Sequence, residues 1–221
     1  MRTLIIDILT NVHFLQFWLV MVVGSMATLI LDLATNNYRL GGLMKWVWGF
    51  TVLYSGPLGL GIYFFSGRRE ISHDSLWRKS FRSVAHCYSG CGAGEIVGVF
   101  IAAGIFSLSN WWIAGITFVL AYVSGFAFTI GPLMQDGEPF HQALMDALFS
   151  ETASISVMEI SAICVDLWLA QNATMAQPAF WASLVFSLSI GLFAAYPVNV
   201  LLIHFGVKEG MHNPKHMAHA H

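Results

Sequence analysis

The sequence predicts an all-α, polytopic membrane helix bundle with about six transmembrane helices. Three observations carry this. Hydrophobic residues make up 57% of the 221 and charged residues only 10%, against about 25% charged in an average soluble domain. Mean hydropathy is +0.67. The apolar residues are also gathered into runs of about 20, the length a helix needs to cross a bilayer. Strands do not compete, because an open sheet leaves its edge groups unpaired in lipid. The same composition excludes a soluble cytosolic enzyme and a disordered chain. A net charge of −2 with no basic domain excludes a nucleic-acid binder.

In chain order, residues 4–12 predict a short interfacial helix. Asp7 interrupts this stretch, and no clear small-residue cleavage site follows, so it does not read as a signal peptide. Six spans follow at about 12–34, 45–65, 84–107, 111–133, 147–170 and 179–205. They form one transmembrane domain over 1–221, organised as hairpins 12–65, 84–133 and 147–205 with a His/Met-rich tail at 206–221. With six spans, Arg2, Arg68, Arg69, Arg78, Lys79, Arg82, Lys208 and Lys215 share one side, and only Arg39 and Lys45 face the other. The excess of Lys and Arg inside then puts both termini in the cytoplasm. Trp46, Trp48, Trp111, Trp112, Trp168 and Trp181 fall near outer span ends, as interfacial anchors do.

The hairpins read as repeats. Pro57, Pro132 and Pro197 recur in spans two, four and six, and Cys91-x3-Glu95 parallels Ile155-x3-Glu159. Hairpins 84–133 and 147–205 are the closer pair, and 12–65 a weaker copy. Sites in transporters often lie where repeats meet.

Within the spans, polar residues are few and grouped. Cys87, Cys91 and Glu95 are spaced by four, so they share one face of span three with a drift of about 40° per step. Gly90, Gly94 and Gly98 form a small-residue stripe beside that face, which admits a neighbouring helix. His86 lies about 100° away from Cys87. Span five carries Glu151, Glu159 and Asp166 on about one face, flanked by Ser154 and Met158. An ionised group at mid-membrane costs at least about 2.5–3.5 kcal/mol, so Glu95 and Glu159 need a partner. Spans three to six contain no Lys or Arg, which leaves a bound cation or a proton. Asp32 and Asp166 sit near outer ends and read as interfacial.

Two thiols, carboxylates, an imidazole and a thioether suit copper or zinc better than magnesium or sodium. The expected ligands are Cys87, Cys91, Glu95, His86, Glu151, Glu159 and Met158. Against this, cysteines also pack as small apolar residues beside glycines, and buried carboxyls can be protonated. The tail residues His212, His216, Met217, His219 and His221 are further metal candidates. His13, Gln16, Tyr54, Tyr122 and Tyr196 are weaker candidates to line the cavity or donate to its acids. There is no nucleotide loop, nucleophile elbow, zincin motif or haem-attachment motif.

At His86-Cys87-x3-Cys91-x3-Glu95, and from Tyr196-Pro197-Val-Asn199 to Lys208-Glu209-Gly-Met211, the chain resembles a bacterial membrane-protein family known as a domain of unknown function. The resemblance covers about residues 75–215. It implies a bacterial inner membrane and no particular reaction.

The leading expectation is therefore a protein that binds or transports copper or zinc, with the lipid bilayer and the metal ion as its partners. Transport or binding is favoured over an enzymatic role. The alternatives are an accessory subunit of a larger respiratory or oxidase-type complex, a homo-oligomer included, and a dithiol redox protein using Cys87 and Cys91.

Overall fold

The structure is a computed structural model that describes residues 1–69, 71, 73–135 and 139–210. These residues are helical with no strand. The helices are α1 (Arg2–Leu9), α2 (Val12–Thr35), α3 (Gly42–Ser55), α4 (Pro57–Ser66), α5 (Leu76–Val99), α6 (Asn110–Gln135), α7 (Phe140–Ala170) and α8 (Pro178–His204). A π-helical stretch, Phe100–Ile105, continues α5. Five helices are long and apolar enough to cross a membrane: α2, α5 with its π-helical extension, α6, α7 and α8. Their starts follow local rules. Asn11 caps α2 by accepting from His13 N at 2.9 Å, Ser75 caps α5 by accepting from Arg78 N at 3.3 Å, and Pro178 opens α8.

The predicted second span is instead two short helices. Gly56 between them has φ +56°, a left-handed conformation that glycine adopts without a Cβ penalty. Pro57 then lacks the N–H that a continuing helix would need. The chain folds back on itself. A Cβ at Gly59 would lie 2.6 Å from Thr51 O, and one at Gly67 would strike the Trp48 ring. The rings of Trp48 and Tyr63 meet at 5.4 Å. Counting apolar residues could not separate one full span from two half-depth helices with the same composition.

The hairpin returns to the end of the bundle from which it starts. Asn37, just after α2, donates through Nδ2 to Tyr63 Oη at 3.0 Å and to Gly67 O at 3.2 Å. Arg68 pairs with Asp32 at 3.0 Å. The tip at Gly56 rests against Val22 and Trp18, near mid-length of α2. α3 runs parallel to α5, since Thr51 pairs with Ala85 O and Tyr54 packs on Tyr88 and Gly92. Two expectations are corrected here. Trp48 is a fully buried core residue rather than an interfacial anchor. Asp32 is buried and also accepts from Tyr63 Oη at 2.6 Å and from Asn36 Nδ2 at 2.8 Å, so it fastens α2 to the hairpin.

One helix fewer crosses the bundle, so the ends of the described chain separate. Arg2 donates to Trp168 O and Leu169 O, where α7 finishes. Residue 210 packs near Lys79, where α5 begins. Residues 2 and 210 therefore lie at opposite ends of the bundle. Arg39, Lys45, Arg68, Arg69, Arg78, Lys79, Arg82 and Lys208 gather at what is here called the basic end, with Arg2 at the other.

α5 is the central helix. Its glycine stripe receives α6 antiparallel: a Cβ on Gly94 would lie 2.3 Å from Leu120 O, and one on Gly98 would lie 2.9 Å from Thr117 Cα. α8 closes on α7 in the same way at Gly191, beside Met158 O. α5 and α6 pack as one antiparallel pair and α7 and α8 as another, with α5 starting at Leu76 and α7 at Phe140. The 12–65 copy does not match them, because Pro57 begins a helix while Pro197 lies inside one.

Gly94→Ala should lower thermal stability in detergent by about 1–3 kcal/mol, the usual cost of overpacking. Gly115→Ala, whose Cβ meets nothing within 4 Å, should be neutral or slightly stabilising. Equal effects would show that α5 and α6 do not meet through this stripe.

Candidate functional site: an acidic column between α5 and α7

α5 and α7 run in the same direction, so their polar faces meet at matching depth. His86, Cys87, Cys91, Glu95, Glu151, Met158 and Glu159 are all buried, none more than 4% exposed. Cys91 sits where Gly125 of α6 leaves room: a Cβ there would lie 2.8 Å from its Sγ. Cys87 and Glu159 are neighbours of the Cys91 thiol. Both cysteines are free thiols. Glu95 lies within electrostatic range of Glu159 on one side and Asp166 on the other. His86 lies within range of Glu151. The order from the basic end is Glu151 and His86, then Cys87 and Cys91, then Glu159 and Glu95, then Asp166.

The partners of these acids differ. Asp166 accepts from Ser183 Oγ at 2.6 Å. Glu151 Oε1 holds Lys208 Nζ at 2.6 Å. No hydrogen-bond partner among the described residues reaches Glu95 Oε2, Glu151 Oε2, His86 Nε2 or either oxygen of Glu159. A buried polar atom without a partner costs about 1–3 kcal/mol, and more when charged. This run of bare acceptors is the least satisfied part of the bundle.

The column opens at the end away from the basic residues. A cavity of about 30 Å³ is lined by Glu95, Asp166, Thr117, Asn110 and Gln171 with apolar neighbours. Its volume is enough for water or a bare ion. A wider mouth of about 600 Å³ adjoins it, sharing Asn110, Ile113, Ala173 and Phe180. Asn110 Nδ2 donates to Gln171 O across this end. The π-helical stretch lies on the same side, just beyond Glu95. Such irregular turns recur at functional sites. On the far side, the tip of the α3–α4 hairpin brings Tyr54 against Gly92, level with the column.

The structure thus brings the α5 and α7 candidates into one column. Among the described residues, no three His, Cys, Asp or Glu side chains converge in a metal-holding group. The tail candidates His212, His216, Met217, His219 and His221 lie outside the described residues. His13 and Gln16 are exposed on α2, away from the column. Tyr122 donates to Thr152 O and pairs with Ser156 rather than with an acid.

Spans three to six carry no Lys or Arg of their own, but Glu151 receives a lysine from beyond them. Its partner, Lys208, follows the last helix and folds back into the bundle. Asn199 Oδ1 also holds Lys208 at 3.0 Å, and Asn199 Nδ2 donates to Ser154 Oγ at 2.6 Å. Position in a predicted tail hid this lysine.

Residues 76–208, more than half of the chain, match the family described as "Domain of unknown function (DUF4396)". The chain belongs to that family. The matched DUF4396 region starts with α5 and ends at Lys208, so it takes in the whole column and leaves out α1 to α4. No curated protein and no solved structure matches the chain.

Glu159→Met should raise thermal stability by about 1–3 kcal/mol, because it removes buried acceptors that have no better partner than a weakly donating thiol. Glu151→Met should lower it by about 3–5 kcal/mol, because it strips a buried lysine of its partner. Melting curves of the two variants in one detergent decide this, and shifts of the same sign would contradict the contrast.

Proposed function

We propose that this protein moves a soft or borderline metal cation, copper or zinc, across a bacterial inner membrane through the α5–α7 column. The observation that carries the reading is the run of unpartnered buried acceptors at Glu95, Glu159 and His86 beside two free thiols. A cation supplies what those groups lack, and thiol, imidazole and carboxylate donors suit copper or zinc. The small cavity at Glu95 and Asp166 fits a dehydrated ion. A broken helix pair whose tip reaches the level of the site also occurs in transporters, where it lines the path. Irregular backbone at that depth is tolerated where protein buries it.

Cys87 and Cys91 would serve as soft ligands at the centre. Glu95 and Glu159 would carry the cation between them and the cavity. Glu151 and His86 would receive it at the basic end. Because no ligand group of three is preformed among the described residues, occupancy requires a small closure of α5 against α7. The shared Cys91-x3-Glu95 and Ile155-x3-Glu159 pattern supports a site at the meeting of two related hairpins.

The orientation follows from the positive charge. Eight Lys and Arg named above lie at the basic end and Arg2 at the other, and Lys and Arg concentrate on the cytoplasmic side. The column's cavity then faces outward, the described chain starts outside, and Lys208 lies inside.

Purified protein should bind zinc at about one ion per chain. Cys87→Ser combined with Cys91→Ser should weaken binding by at least about tenfold, as losing metal ligands or their supports does. Binding unchanged in the double variant would overturn the thiol site. Separately, reporters fused at residue 1 and after residue 221 should score on opposite sides of the membrane, and the same side for both would overturn the topology.

A further inference from the structure

Lys208 lies four residues past the end of α8, where a lysine ordinarily reaches water. Instead it is 7% exposed. The turn that follows α8 brings it back. Gly206 adopts φ +72° and Gly210 φ +76°, and the N–H groups of Val207 and Lys208 both donate to Leu202 O, at 2.9 and 3.2 Å. The ammonium is thereby drawn onto Glu151 at 2.6 Å and Asn199 at 3.0 Å. Asn199 is held in turn by Ser154 and by Ala195 O. Drawing an ammonium out of water is costly unless an anion and further acceptors receive it. Here both are present.

We infer that Lys208 is a tethered counter-cation that occupies the basic end of the column, and that an arriving metal cation displaces it from Glu151. This rests on the cation reading of the column. A second cation cannot share the Glu151 carboxylate at contact distance without strong repulsion between the two charges, because burial weakens screening. Two groups near the lysine have unused capacity for an incoming ion. Glu151 Oε2 and His86 Nε2 are unpartnered among the described residues, and His86 is within electrostatic range of both Glu151 and Lys208. With the lysine withdrawn, the Glu151 carboxylate is free to accept another cation, with His86 within electrostatic range of it. Withdrawal leaves α8 intact, because Lys208 sits on a turn between two left-handed glycines rather than in the helix. A lysine suits this role better than an arginine, whose planar fork would hold the carboxylate bidentately.

The test uses the full chain in lipid nanodiscs with cadmium as a soft probe. An amine-acylating reagent is applied with and without cadmium, and peptide mass spectrometry reads the rate at Lys208, with Lys45 as the reference. Lys208 should acylate slowly without cadmium and at least about fivefold faster at saturation, as a shifted population requires, while Lys45 stays unchanged. Lys208→Met should bind cadmium about tenfold more tightly than the unaltered protein, since it removes the competitor. Lys208→Arg should bind no more tightly. If Lys208→Met does not fold, acylation of the unaltered protein decides alone. Cadmium binding with an unchanged rate at Lys208 overturns the displacement and leaves the cation reading standing. No cadmium binding by the unaltered protein overturns the cation reading itself.

Discussion

A carboxylate inside a bilayer must be given a partner, and the bundle solves that problem differently for each of its buried acids. Asp32 receives Arg68, a tyrosine hydroxyl and an asparagine amide. Asp166 receives a serine hydroxyl. Glu151 receives a lysine that has been folded back to reach it. Glu159 has only the weakly donating Cys91 thiol beside it, and one oxygen of Glu95 has no hydrogen-bond partner among the described residues. The first set reads as structure: each contact ties one element to another. The second is a cost that packing alone does not require, because an apolar residue would fill the same space. Groups kept at such a cost inside a membrane mark ion or substrate paths as a rule.

The rest of the architecture keeps those acids where they are. α5 carries a polar face and a glycine stripe side by side, and the stripe lets α6 approach until backbone touches backbone. That closeness leaves Cys91 facing Gly125 and turns the polar face toward α7. α8 then seats against α7 at Gly191, which brings Asn199 and Lys208 to Glu151. The α3–α4 hairpin fills the remaining side of α5 to about the depth of Gly92. Because it does not cross, the basic segment after it lies at the same end as Arg39 and Lys45. One glycine with a positive φ thus decides the distribution of charge over the two faces of the protein.

Much of this was legible in the residues. Helical class and membrane character follow from apolar run length, and the pairing of α5 with α7 follows from four-residue spacing on both. The glycine stripe is a local pattern with a local consequence. Three features were not legible, for physical reasons. The break at Gly56-Pro57 is a turn between two apolar halves, and hydropathy averages over it. The partnership of Asp32 with Tyr63 and Arg68 spans 31 and 36 positions and has no periodic signature. Lys208 was read as part of a soluble tail because its burial depends on a turn at Gly206 that brings the chain back after the helix has ended.

The proposal of a thiol-lined metal path is tested most directly by the environment of a bound ion. Zinc loaded into the purified protein can be read by X-ray absorption at the zinc edge. An ion held by Cys87 or Cys91 gives a sulfur shell at about 2.3 Å, together with nitrogen or oxygen at about 2.0–2.2 Å. Nitrogen and oxygen alone, with no sulfur shell, would contradict a path that runs past the two cysteines.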